Sequence, residues 1–125
     1  KLKKISKLNK FFKKKNLFFT ILLTSSLNIK KLNRKFRKKN KPTDVLSFPN
    51  FYIKNLNYIK EKKIYIGDIA VSYEIVYTRS KKSNFILEFD RVWIHGLLHL
   101  LGYNHIKNKD HSKMIKLEKR ILNLI

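Results

Sequence analysis

Three of the four histidines in this chain fall within one short stretch, His95-Gly96-Leu97-Leu98-His99-Leu100-Leu101-Gly102-Tyr103-Asn104-His105. On a helix, His95 and His99 lie one turn apart on the same face, which is the geometry two imidazoles need to share one metal ion. Gly102 can adopt a left-handed conformation that ends the helix and turns the chain back, bringing His105 toward the same point. Cysteine is absent, so disulfides and thiolate sites are excluded and a metal must rest on His, Asp or Glu. Three imidazole ligands favour zinc with an open fourth position, the arrangement of catalytic sites, although availability decides among nickel, copper and zinc. Zinc lowers the pKa of a water it binds to about 7 and polarises a phosphoryl oxygen, and either effect suits a phosphodiester.

The order and spacing of His, His, Gly and His are those of the metzincin metallopeptidases, in which a Glu general base follows the first His. Gly96 stands at that position here. Ordinary peptidase chemistry is therefore disfavoured. The fourth histidine, His111, lies in a polar stretch and is expected at the surface.

The elements that would position these residues are legible in outline. Residues 2–14 place Leu2, Ile5, Leu8 and Phe12 at helical spacing among lysines, predicting an amphipathic helix. Residues 17–23 read as a buried strand, and Thr24-Ser25-Ser26 as a turn and N-cap for a helix whose inner stripe is Ile29, Leu32 and Phe36. The basic run 34–41 leads into Pro42, which is expected to stop the helix before it; residues 43–48 read as a second strand, and 50–63 as a variable connection or hairpin. Residues 64–71 predict a central strand with a bulge or close approach at Gly67-Asp68, and Ser72 caps a short helix to about Arg79. After a polar loop at 80–84, residues 85–101 are the longest helical candidate, with Phe89, Val92, Trp93 and Leu100 as packing residues. A last helix from about Asp110 or Ser112 turns Met114, Leu117, Ile121 and Leu124 inward. Interspersed strands and helices in 125 residues predict one domain, 1–125, of the α+β (α/β) class.

Thirty Lys+Arg against eight Asp+Glu give a formal charge of +22, which attracts polyanions such as RNA, DNA and anionic membrane. Lys accompanies many Asn and Ile throughout, so the cations are equally a generic solvated surface. The longest apolar run, 17–23 with Thr20 inside it, is far shorter than the roughly 18–20 residues a membrane span needs. The basic residues 1–4 are not followed by a long apolar segment or a small-residue cleavage site, so the cytoplasm is the expected location. The sequence opens on Lys1 and not Met, which leaves its true start open.

The block 95–105 resembles the signature of the YbeY endoribonucleases, the ribosomal RNA maturation factors. Two further blocks agree in the same order: Leu32-Asn33-Arg34-Lys35-Phe36-Arg37-Lys38-Lys39-Asn40-Lys41-Pro42-Thr43-Asp44-Val45-Leu46-Ser47-Phe48-Pro49 and Ile66-Gly67-Asp68-Ile69-Ala70-Val71-Ser72. The resemblance implies a small mixed sheet of about four strands flanked by helices, with a metal site at the end of a long helix. It also implies one Zn2+ per chain held by His95, His99 and His105, with His95 and Arg37 catalytic. The implied activity is single-strand endoribonuclease cleavage in ribosomal RNA processing, at the 3′ end of the small-subunit RNA, and in ribosome quality control. Ribosomal RNA and ribosomal or small-subunit proteins are the implied partners. A guanidinium suits the role assigned to Arg37, because its planar fork holds a phosphate and stabilises charge developing on it.

Asn104 departs from the Asp usual in the family, and a weaker or retuned metal site is expected from the lost charge. Thr43, Asp44, Ser47 and Asp68 are expected to be structural, Asp44 as a turn or cap residue and Asp68 as a buried carboxylate needing partners. Trp93 and Phe89 are expected in the core. Two other readings stay open: a zinc hydrolase of another class, metallopeptidase-like, and a non-catalytic ribosome-assembly factor with structural zinc.

Overall fold

In a computed structural model of the chain, residues 16–50, 62–103 and 108–125 are described, with 108–111 described in backbone alone. Strand β1 (Asn16–Thr24) leads into helix α1 (Ser26–Arg37), followed by β2 (Val45–Pro49) and β3 (Lys63–Ser72). Helix α2 (Tyr73–Arg79), a 3-10 turn (Ser80–Lys82), α3 (Phe85–Leu100) and α4 (Asn108–Leu124) complete the order. The sheet runs β1-β3-β2, with β1 parallel and β2 antiparallel to β3. The mixed sheet with flanking helices agrees with the α+β expectation. Three strands are described where about four were expected; the connection at 50–63 that would supply another lies largely outside the described residues, as does the helix expected at 2–14.

The central strand β3 solves a packing problem with one extra residue. Its pairing with β1 slips between Phe18 and Phe19, so that Tyr65 and Gly67 face successive β1 residues and Ile66 is the insertion. The insertion changes the parity of the inward side chains: Ile64 before it, Ile66 itself, and Ile69 and Val71 after it all join one core. Gly67, at φ 142°, approaches β2 so closely that a Cβ would lie 2.3 Å from the Phe48 carbonyl oxygen. The predicted bulge and close approach are both present. Asp68, by contrast, is exposed, and its carboxylate accepts a hydrogen bond from the Tyr65 hydroxyl. The expectation of burial fails because the bulge turns this position outward.

The helices begin where hydroxyl or amide caps were available. Ser25 Oγ accepts from the Asn28 amide at 3.1 Å, Ser72 Oγ from that of Ile75 at 3.3 Å, and Asn84 Oδ1 from that of Leu87 at 2.8 Å. On α1 the inner positions are Ile29 and Asn33 with Leu32 half-buried, whereas Phe36 is 57% exposed and meets Phe48 edge-on at 5.3 Å. The predicted stripe swings off the sheet because Asn33, a polar residue, is taken inside: its amide donates to the Lys41 carbonyl at 2.9 Å and pins the turn that follows.

Helix α3 lies on the opposite sheet face, with Val92, Trp93, Ile94, Leu97, Leu98 and Leu100 buried. Trp93 and the half-buried Phe89 pack as expected. Helix α4 closes this core through Met114 and Ile121; Leu117 is half-buried, and Leu124, expected inside, is 37% exposed at the last turn. No helix among the described residues is long and apolar enough to cross a membrane.

Candidate active site

Helix α3 presents His95 and His99 on one side and ends one residue after Leu100 in a reversal built by Gly102. At φ 93°, Gly102 donates its amide to the His99 carbonyl at 3.0 Å while Tyr103 reaches back to Leu98 at 3.0 Å, the paired bonds of a Schellman cap. The expected chain reversal is present. His105 and Asn104, which follow it, lie outside the described residues, as does the side chain of His111.

The two imidazoles stand edge to face, 4.7 Å between centroids and 77° between planes. Their Nε2 atoms are 3.1 Å apart. Two nitrogens bound tetrahedrally at about 2.0–2.1 Å would be separated by about 3.3 Å, so the pair fits two positions around one ion. Among the described residues no group of three or more His, Cys, Asp and Glu converges; the third expected ligand is outside them.

On its other side, His95 Nδ1 lies 2.6 Å from Glu118 Oε1 on α4. A proton held on Nδ1 by this carboxylate leaves the Nε2 lone pair facing His99, the arrangement a metal-binding imidazole needs. The Glu118 hydrogen bond is also the main reason the His95 pKa is raised above 6.5; burial opposes it, and the charges of Glu118 and Asp44 add to it. Sequence reasoning missed Glu118. The signal was there: it follows Met114 by four and precedes Ile121 by three, a carboxylate on the inner arc of a helix in a chain with eight acidic residues.

The histidines open into a cleft of about 380 Å³ that Arg37, Lys39, Lys41, Asp44 and Ser47 also line. Arg37 and the histidine pair, 58 or more residues apart in the chain, therefore share one cavity. Arg37 reaches it from the last turn of α1, its Nη2 donating to the Ser47 carbonyl at 3.2 Å. Ser47 Oγ in turn donates to the Gly96 carbonyl at 2.7 Å, so one strand residue ties the arginine to the histidine helix. Gly96 leaves no space for a side chain unless its neighbours shift: a Cβ would meet Ile69 Cγ2 at 2.8 Å, Val45 Cγ2 at 2.9 Å and Ser47 Oγ at 3.1 Å. The direction a side chain would take at the position after the first histidine is filled by the sheet.

Asp44 sits at the cleft wall between two tethers. Its Oδ2 accepts from Arg79 Nη1 at 2.7 Å, and its backbone carbonyl accepts from the Ser72 amide at 2.9 Å. A turn role was expected; the ion pair across to α2 and the place in the cleft were not.

The sequence profile described as Endoribonuclease YbeY matches residues 2–125. The Endoribonuclease YbeY of Pelagibacter ubique is 51% identical over 69 residues, 52% of this chain and 44% of that protein. That of Buchnera aphidicola is 46% identical over 70 residues, 52% of this chain and 46% of that protein. In these matches the chain spans less than half the length of the curated relatives. The solution structure of TM1509 from Thermotoga maritima superposes with a TM-score of 0.60 at 31% identity, over 97% of this chain and 73% of that one.

Proposed function

The chain belongs to the YbeY endoribonuclease family, and from that premise we propose that it is a zinc-dependent, single-strand endoribonuclease of cytoplasmic ribosomal RNA processing. Its substrate is ribosomal RNA, met in the company of the small subunit and its proteins. The observation that carries the reading is the single cleft shared by Arg37 and the His95–His99 pair. His95, His99 and His105 would hold one zinc ion per chain, which when bound supplies Lewis-acid polarisation of a phosphoryl oxygen and a more acidic water. His95 orients this arrangement through Nε2 while Glu118 keeps the ring's proton on Nδ1.

Arg37 is set to hold the scissile phosphate and to stabilise charge that builds on its oxygens, because its guanidinium is tied by one bond to Ser47 and keeps further N–H donors for the cleft. Lys39 and Lys41 add positive charge where the polyanion enters. Peptidase chemistry of the metzincin kind finds no support, since the position of its base is Gly96 packed against Ile69, Val45 and Ser47.

The test is cleavage of structured ribosomal RNA by native protein, Arg37→Ala and His99→Ala in parallel, with zinc measured in each. The expected result is about one zinc per native chain, loss of metal and activity in His99→Ala, and in Arg37→Ala retained metal with cleavage lowered about 100-fold or more. Equal cleavage by all three would mark a contaminating nuclease, and a zinc-loaded native protein that cuts no RNA would overturn the reading.

A further inference from the structure

A hydrolytic cleft needs a group that accepts the proton of the attacking water, and the usual place for it in a histidine-pair helix is closed here. A side chain at position 96 would collide with three residues of the sheet. Among the described residues lining the cleft, Asp44 is the one carboxylate. We propose, on the basis of the nuclease reading above, that Asp44 is a further catalytic residue, the general base of RNA cleavage.

Several observations fit this role. The side chain is 28% exposed, so it is neither sealed in the core nor free to wander. Arg79 occupies Oδ2 at 2.7 Å, while Oδ1 meets Thr43 Oγ1 at a long 3.4 Å. A carboxylate has about four lone-pair sites, so Oδ1 retains capacity to accept a proton on a residue that lines the cleft. The Ser72 amide fixes the backbone at 2.9 Å, and Arg79 fixes the head group, so the acceptor is held by two elements that do not themselves line the cleft. Among the described residues, the cationic and titratable groups that share the cavity wall with Asp44 are Arg37, Lys39, Lys41, His95 and His99. Cations able to meet a phosphate and a carboxylate able to take the proton of a water, within one cavity, are the division of labour that phosphodiester hydrolysis requires.

In the step proposed, the water oxygen forms a bond to phosphorus as one bridging P–O bond breaks. The water's proton passes to Asp44 Oδ1, and the resulting carboxyl returns it to the departing oxygen. Water and phosphodiester are consumed, an alcohol and a phosphomonoester are formed, and Asp44 ends as it began.

The test compares native protein with Asp44→Asn, Asp44→Ala and Arg79→Ala, following zinc content, RNA affinity, kcat and KM. Asp44→Asn is expected to keep zinc and KM and to lose kcat about 100-fold or more. Added formate is expected to restore part of the rate of Asp44→Ala in proportion to its concentration, a rescue that a merely structural carboxylate would not allow. Arg79→Ala, which breaks the ion pair and keeps the base, is expected to lose less than tenfold. A native enzyme that cuts while Asp44→Asn stays within threefold of it, or changes in KM alone, overturns the base and leaves the nuclease reading intact. If neither Asp44 variant folds, Arg79→Ala decides, and a 100-fold loss there would assign the importance of this pair to its tie. Native protein that cuts no RNA overturns both.

Discussion

His95 makes different use of its two ring nitrogens: Nδ1 meets Glu118 at 2.6 Å and Nε2 meets His99 at 3.1 Å. Replacing Glu118 by Gln keeps the shape and removes the charge that holds the Nδ1 proton. Zinc affinity in Glu118→Gln is expected to fall about tenfold or more, with the fold retained, and a metal-competition titration measures it. The same contact sets a pH dependence in the metal-free protein. Because Glu118 raises the folded His95 pKa above 6.5, the pair's contribution to stability is fully present below the unfolded value and is lost as pH rises through the raised folded one. Metal-free native protein should therefore lose more melting temperature between acidic and mildly alkaline pH than metal-free Glu118→Gln does; equal losses would mean the pair does not form. His95, His99 and Gly102 were legible in sequence because one helix turn and one cap are local patterns. Glu118 was not, since its partner lies 23 positions away and only the packing of α4 on α3 brings them together.

The elements are held in register by places where a side chain has been left out or forced in. Gly96 lets α3 sit directly on β2 and β3, with Ile69 and Val45 filling the space a Cβ would need. Gly96→Ala should push the helix outward and cost about 1–3 kcal/mol by overpacking. It should also disturb the Ser47 bond that links the helix to the Arg37 strand; denaturant unfolding and cleavage rate report the two effects separately. Lys38, which ends α1, is the opposite case, a non-glycine residue at φ 57°. Lys38→Gly should relieve that conformation and raise stability by about 0.5–1 kcal/mol, read as a higher melting temperature. The strands at 17–23 and 64–71 could be read from their short apolar runs and the caps at Ser25 and Ser72 from hydroxyl placement, but the burial expected along 17–23 holds at Leu17 and fails at Phe18, Leu22 and Leu23, which are exposed. The outward turn of Phe36 and the exposure of Asp68 could not, because each depends on a tertiary event, the burial of Asn33 in one case and the bulge after Tyr65 in the other.

At the scale of the whole molecule, a formal charge of +22 carries two readings that sequence alone leaves level, a general basic surface and a track for RNA. The fold separates the cations by position. Lys39 and Lys41 line the cleft with Arg37, while Lys113, Lys116 and Lys119 are exposed along α4, outside its lining. Each phosphate neutralised on a single strand contributes about −0.7 to the slope of log affinity against log salt. If the cleft lysines meet phosphates, Lys39→Ala and Lys41→Ala should each make the slope shallower by about that amount, and Lys116→Ala should leave it nearly unchanged. Binding of a single-stranded ribosomal RNA fragment across a salt series measures all three. Equal changes from cleft and α4 lysines would mean that RNA is gathered by net charge over the whole surface; the expected split would mean that the cations beside Arg37 guide the strand to the histidines.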